Sequence, residues 1–154
     1  MKPHFILATP KDAAELTRTC KYTFDDDTFK HTGKPEGGAP GYDDVNYQLR
    51  KMEEGIYLKI LLGDKIVGGI ILETLAPETI KLVRIWVLPK YQNKRIGHAA
   101  MNYIHSNYSA KKWTLETPPY ALRNHHFYEK FGYINKGLLP DCPEPLYVYE
   151  RTST

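Results

Sequence analysis

The chain has 154 residues, 42% hydrophobic and 25% charged, with a net charge of +3, the make-up of a globular protein large enough for one core. No apolar run approaches the roughly 18 residues that cross a bilayer, and the first ten residues lack the apolar stretch of a signal peptide, so cytoplasm is the expected location and no membrane partner is expected. Lysines and arginines are spread along the chain rather than gathered into a stripe, which argues against nucleic acid, while Cys20 and Cys142 stand in no metal-like spacing and read as reduced thiols.

In chain order, His4 to Ala8 reads as a strand. Thr9-Pro10-Lys11-Asp12 opens a helix, with Thr9 as cap and Asp12 closing a capping box. Leu16 and Cys20 continue its buried side. Residues 25–41 read as a long loop. Asp25-Asp26-Asp27 is followed by Gly33, Pro35, Gly37, Gly38, Pro40 and Gly41, which is turn chemistry of a length that points to function. Asp43 or Asp44 then begins a second helix, with Val45, Leu49 and Met52 on one face.

Three strands follow, at Ile56–Leu62, Lys65–Leu75 and Ile80–Leu88. Gly63-Asp64 makes the first turn a hairpin, and the two-sided apolar character suits the centre of an antiparallel meander. A helix from near Asn93 to Asn107 shows a stripe of Ile96, Ala99, Ala100, Tyr103 and Ile104. Lys112–Thr117 is a strand, and Arg123–Phe131 a helix stopped by Gly132. Strands near Tyr133–Gly137 and Leu146–Arg151 close the chain. The order β-α-α-β-β-β-α-β-α-β-β predicts an α/β (α+β) fold, a mixed central sheet with helices on both faces, in a single domain over residues 1–154.

The segment Ile85-Trp86-Val87-Leu88-Pro89-Lys90-Tyr91-Gln92-Asn93-Lys94-Arg95-Ile96-Gly97-His98 runs from an apolar strand through a polar turn into a helix. A helix start carries unpaired N–H groups and a positive dipole end, so it binds phosphate. Gly97 permits close approach, and Lys90, Lys94 and Arg95 add charge. An ordinary strand-to-helix connection with a solvated basic face reads equally well from these residues alone. The segment resembles the GNAT superfamily of acyl-CoA N-acyltransferases, which carries Gln or Arg, two residues, Gly, one residue, then Gly or Ala after a strand ending in apolar-x-Pro. Val87-Leu88-Pro89, Tyr91-Gln92 and Gly97 fit. Arg95 stands where the first family glycine belongs. The resemblance implies that Val87 and Leu88 bond the pantetheine arm of acetyl-CoA through backbone groups. Gln92, Asn93, Lys94, Arg95, Ile96, Gly97 and His98 would hold its pyrophosphate.

Asn124-His125-His126-Phe127-Tyr128-Glu129-Lys130-Phe131-Gly132-Tyr133 is similar to the last block of the same family. There the tyrosine protonates the departing thiolate, which implies that role for Tyr128 and a contact with the CoA arm for Asn124. Read as a bare helix, the same residues put Phe127 and Phe131 in a core. His125 and His126 point about 100° apart on a helix and do not share one metal; no metal is expected.

Attack on a thioester needs a neutral amine, yet Ile80-Lys81-Leu82-Val83-Arg84-Ile85 lacks the acid that some family members carry before the phosphate turn. Glu116, twelve residues before Tyr128, resembles the base of relatives that acetylate protein N-termini; Glu73 and water are the alternatives. Aspartates between residues 25 and 44 would favour a cationic amine by Coulomb attraction. The expected activity is acetyl transfer from acetyl-CoA to a primary amine, of a small molecule, in a ternary complex. A non-catalytic acyl-CoA-binding sensor is the alternative. GNAT relatives are often dimers, so a homodimer belongs among the expectations.

Overall fold

The two glycines of one strand show how the sheet is packed. A Cβ on Gly68 would lie 2.1 Å from the Trp86 carbonyl oxygen, and one on Gly69 would lie 2.5 Å from the Trp86 ring. Real side chains do not approach so closely, so this strand needs glycine to lie against Trp86. The indole N–H donates to Thr19 Oγ1 at 3.1 Å, tying the first helix to the strand that carries Trp86.

The computed structural model describes residues 1–153. Its elements are β1 (His4–Leu7), α1 (Ala13–Thr32), α2 (Val45–Glu54), β2 (Ile56–Leu62), β3 (Lys65–Ala76), β4 (Thr79–Val87), α3 (Ile96–Asn107), β5 (Lys112–Thr117), α4 (Leu122–Glu129), β6 (Ile134–Leu138) and β7 (Tyr147–Thr152). The seven strands form one sheet in the order β1-β2-β3-β4-β5-β7-β6. β1–β2, β2–β3, β5–β7 and β6–β7 are antiparallel. β4 and β5 pair in parallel, Thr79–Lys81 against Lys112–Thr114, and a parallel pair needs a crossover, here α3. The mixed α+β class with seven strands and four helices is the one expected.

The chain forms two compact units. One comprises Met1–Leu72 and Arg84–Asn107; the other comprises Glu73–Val83 and the chain from Tyr108 on. In the first, Leu16, Cys20, Ile60, Val67, Ile70, Ile71, Ala100, Met101 and Ile104 are fully buried, so α1, β2, β3 and α3 all bury apolar side chains there. Tyr57 donates to Gln48 Oε1 at 2.6 Å, which satisfies a glutamine with no exposure; a buried amide is otherwise costly. In the second unit Trp113, Leu115, Tyr133 and Tyr149 are buried.

The loop expected at residues 25–41 is overturned. Asp25, Asp26 and Asp27 lie inside α1, which runs to Thr32, so the loop is residues 33–44. Three aspartates are poor helix formers, but each has a basic partner one turn away. Lys21 pairs with Asp25 at 2.6 Å, Lys30 with Asp26 at 2.8 Å, and His31 with Asp27 at 3.4 Å, the i,i+4 spacing that supports helices. Gly33, at φ 78°, ends the helix in the left-handed conformation that glycine favours. Asp44 caps α2, accepting from the Asn46 N–H at 2.9 Å. Its buried residue is Gln48 rather than Val45, which is exposed.

Candidate functional site

In the first unit, β4 ends at Val87 and the chain turns. The Leu88 N–H donates to the Val67 carbonyl at 2.8 Å, and the Tyr91 N–H donates back to Leu88 at 2.8 Å. Gln92 folds its side chain back and donates Nε2 to the Val87 carbonyl at 2.8 Å. It braces the turn, and the Val87 carbonyl and the Leu88 N–H are both held by protein partners. Asn93 and Arg95 then adopt φ 62° and 63°. Asparagine enters this left-handed region readily, whereas for arginine it is strained. Arg95 therefore takes the backbone shape that a glycine would give, at the position where the family glycine belongs.

The helix starts three residues later than its apolar pattern suggests. α3 begins at Ile96, and its first turn closes with the Ala99 N–H on the Arg95 carbonyl at 3.0 Å. The N–H groups of Ile96 and Gly97 precede that bond, as at any helix start. Lys90, Asn93, Lys94 and Arg95 are exposed around them. Among the described residues Lys90, Lys94 and Arg95 make no ion pair. A positive, donor-rich helix start is the kind of surface that suits a pyrophosphate; of the expected residues Asn93, Lys94 and Arg95 are exposed, Gln92, Gly97 and His98 half-buried, and Ile96 buried.

In the second unit, α4 is anchored by His125. Its Nε2 lies 2.9 Å from the Pro118 carbonyl, and its ring packs on Tyr147 and Tyr149 at centroid distances of 5.5 and 5.6 Å. His125 is thus a buried packing residue; His126 is exposed. One turn on, Tyr128 is half-buried between Phe127 and Tyr133, at 5.4 and 6.0 Å. Burial pushes its hydroxyl up to about 12, so it keeps its proton across the neutral and mildly alkaline range. Asn124 stands exposed in the first turn of α4.

Glu116 lies near the end of β5, opposite Val148 of β7. Its Oε2 is 3.2 Å from Lys81 Nζ, and both side chains are partly exposed, 29% and 25%. Glu73 follows the buried stretch of β3 and is half-buried. Thr117, next to Glu116 in β5, has a buried hydroxyl with no hydrogen-bond partner among the described residues. The predicted residues thus fall into two groups, each assembled within its own unit: Val87 to His98 in the first, and Glu116, Asn124 and Tyr128 in the second.

Arg84 is the residue that sequence reasoning missed. It sits on the inward side of β4 with Ile80, Leu82 and Trp86 and is 8% exposed. A charge at an inward position of an alternating strand was the available signal. Its Nη2 donates to the Pro40 carbonyl, and its guanidinium carbon lies 4.4 Å from the centre of the Tyr47 ring.

Residues 53–135 match the acetyltransferase (GNAT) domain, a span of more than half the chain that contains both motifs. The chain belongs to the GNAT acetyltransferase family, which uses acetyl-CoA. Its fold is shared along the whole chain with solved structures of low identity. An acetyltransferase from Thermus thermophilus superposes with a TM-score of 0.79 at 19% identity, covering 99% of this chain and 98% of that one. The PaiA N-acetyltransferase from Thermoplasma acidophilum, in complex with coenzyme A, gives 0.78 at 15% identity, covering 99% and 100%. Ard1 from Thermoplasma volcanium gives 0.75 at 16%, covering 100% and 99%. No curated protein matches the chain in sequence. No described helix is long and apolar enough to cross a membrane.

Proposed function

We propose that residues 1–154 act as one N-acetyltransferase, moving the acetyl group of acetyl-CoA to the primary amine of a small molecule by direct attack in a ternary complex. The observation that carries this reading is Tyr128, a hydroxyl held protonated by burial within the matched acetyltransferase domain. The turn entering α3 binds the pyrophosphate through backbone N–H groups and the positive charges of Lys90, Lys94 and Arg95. The neutral amine attacks the thioester carbonyl, the C–S bond breaks, and the Tyr128 proton passes to the leaving sulfur. Glu116, beside Lys81, takes the proton that the amine must lose. The coenzyme A held by the Thermoplasma acidophilum relative supports the same cosubstrate here.

A sensor that binds acyl-CoA without chemistry draws on the missing glycine at Arg95. The left-handed backbone kept at Arg95 preserves the turn for either reading; the buried hydroxyl of Tyr128 favours the enzyme. The test is to incubate the protein with acetyl-CoA and a panel of primary amines while following free thiol. Amine-dependent thiol release supports transfer; acetyl-CoA that raises the melting temperature by mass action without any thiol release supports the sensor. An unchanged melting temperature at saturating acetyl-CoA removes both.

A further inference from the structure

Arg84 is a permanent cation in an apolar setting, and the fold supplies it with little. Among the described residues, its Nη1 is buried with no hydrogen-bond partner, and no carboxylate pairs with it. Asp43 is close enough to act on the same Cys20 thiol as Arg84, yet it is exposed and forms no ion pair with the guanidinium. Among the described residues its compensation is the Pro40 carbonyl at Nη2 and the face of Tyr47 at 4.4 Å. An uncompensated buried charge is strongly unfavourable, and a buried donor left without an acceptor adds to it. A residue maintained in that condition is complete only when an anion reaches it.

We infer that Arg84 binds a carboxylate on the acceptor, so that the acceptor is a small amino acid rather than a polyamine or an amino sugar. This rests on the acetyltransferase reading and specifies its substrate. A guanidinium presents two parallel N–H groups that match a carboxylate, and such a bidentate pair is much stronger than a bond to a neutral carbonyl. A carboxylate that displaces the Pro40 carbonyl therefore gains Nη2 and Nη1 together. Pro40 is exposed in a loop that is held elsewhere, by Asp25 accepting from the Gly37 N–H and the Tyr42 hydroxyl, so the exchange needs to move only the Pro40 carbonyl. The enclosure of Arg84, 8% exposed, argues for a small acceptor over a protein surface. Arg84 also stands three residues before Val87, about 10 Å along the strand, in the same unit as the proposed acyl-CoA turn.

The test compares matched acceptors: a panel of α-amino acids, each beside its carboxamide and its decarboxylated amine, with polyamines and short peptides alongside. For the best acceptor, kcat/KM for the acid should exceed that for the carboxamide by about 10- to 100-fold, mainly through KM, the range of a charged hydrogen bond. Arg84→Gln should collapse this ratio towards one, and Arg84→Lys, which keeps a charge but loses the fork, should leave part of it. Equal use of acid and amide by the wild type, preference for polyamines or peptides, or an unchanged ratio in Arg84→Gln each overturns the inference while leaving acetyl transfer intact. If Arg84→Gln fails to fold, the wild-type ratio and Arg84→Lys decide. Absence of thiol release with every amine overturns the acetyltransferase reading itself, and this inference with it.

Discussion

The turn that enters α3 and the helix that carries Tyr128 are built from different materials. The turn works through its backbone. Lys90, Asn93, Lys94 and Arg95 are exposed, Asn93 and Arg95 are held at positive φ, and its brace is one glutamine amide on a carbonyl. The α4 region works through one side chain. Tyr128 is placed by aromatic neighbours and by His125, which fixes the helix to the Pro118 carbonyl. A backbone cradle tolerates substitution as long as its dihedral angles persist, whereas a hydroxyl site does not. The contrast explains how the chain can lose a family glycine in the first region and still keep the tyrosine in the second.

Tyr128→Phe is the hardest test of that contrast. It keeps the ring between Phe127 and Tyr133 and removes only the proton donor. Turnover should fall by about 10²–10⁴-fold, with the melting-temperature rise on adding acetyl-CoA preserved. A variant that turns over like wild type removes Tyr128 from the chemistry.

Glu116→Gln should act more selectively, lowering turnover at neutral pH by about 10²-fold if it is the base. Raising the pH increases the free amine, so this variant should recover towards pH 9.5, whereas Tyr128→Phe should not. The sign for the tyrosine follows from its raised hydroxyl. With an ordinary value near 10 and a folded value of about 12, the protonated form persists throughout the assay. Any folding stability that it confers is lost only as pH rises through the folded value. Rate profiles from pH 6.5 to 9.5 for wild type and both variants therefore separate the roles. A descending wild-type limb below pH 9.5 that vanishes in Tyr128→Phe would still mark the hydroxyl as the acid but would overturn its raised value.

The smallest effects concern Arg95. Arg95→Ala should raise KM for acetyl-CoA several-fold with turnover nearly intact, the pattern of lost uniform binding. Arg95→Gly removes the same charge but relieves the left-handed strain, which costs about 1–2 kcal/mol. The extra freedom of glycine in the unfolded chain returns part of that. A net gain of about 1 kcal/mol, or a melting-temperature rise of about 2–4 °C without ligand, should appear in Arg95→Gly and not in Arg95→Ala. Equal melting temperatures for the two variants would mean that no strain is stored there.

Much of this was legible in the residues because hydrophobic period and turn chemistry agree. β2 and β5 run over the residues expected, since each is an apolar segment bounded by turn residues. Where local signals compete, the reading failed. The three aspartates of α1 look like a loop until their partners Lys21, Lys30 and His31 are counted four residues away. The start of α3 at Ile96 rather than Asn93 depends on φ at Arg95, and nothing in an arginine announces a left-handed backbone. Arg84 was hidden for another reason. An inward charge on an apolar strand reads as a break in a pattern, and only its missing counter-charge gives it meaning.

The burial of tryptophan has a practical consequence. The chain has two tryptophans. Trp86 lies in the first unit and Trp113 in the second, 3% and 1% exposed. Intrinsic fluorescence therefore carries one built-in reporter for each unit. Trp113→Phe leaves emission from the unit that holds the α3 turn, and Trp86→Phe leaves emission from the unit that holds Tyr128. Denaturant titrations of the two single-tryptophan proteins, with and without acetyl-CoA, can then show whether the units melt at one midpoint or at two, and which of them the ligand shifts.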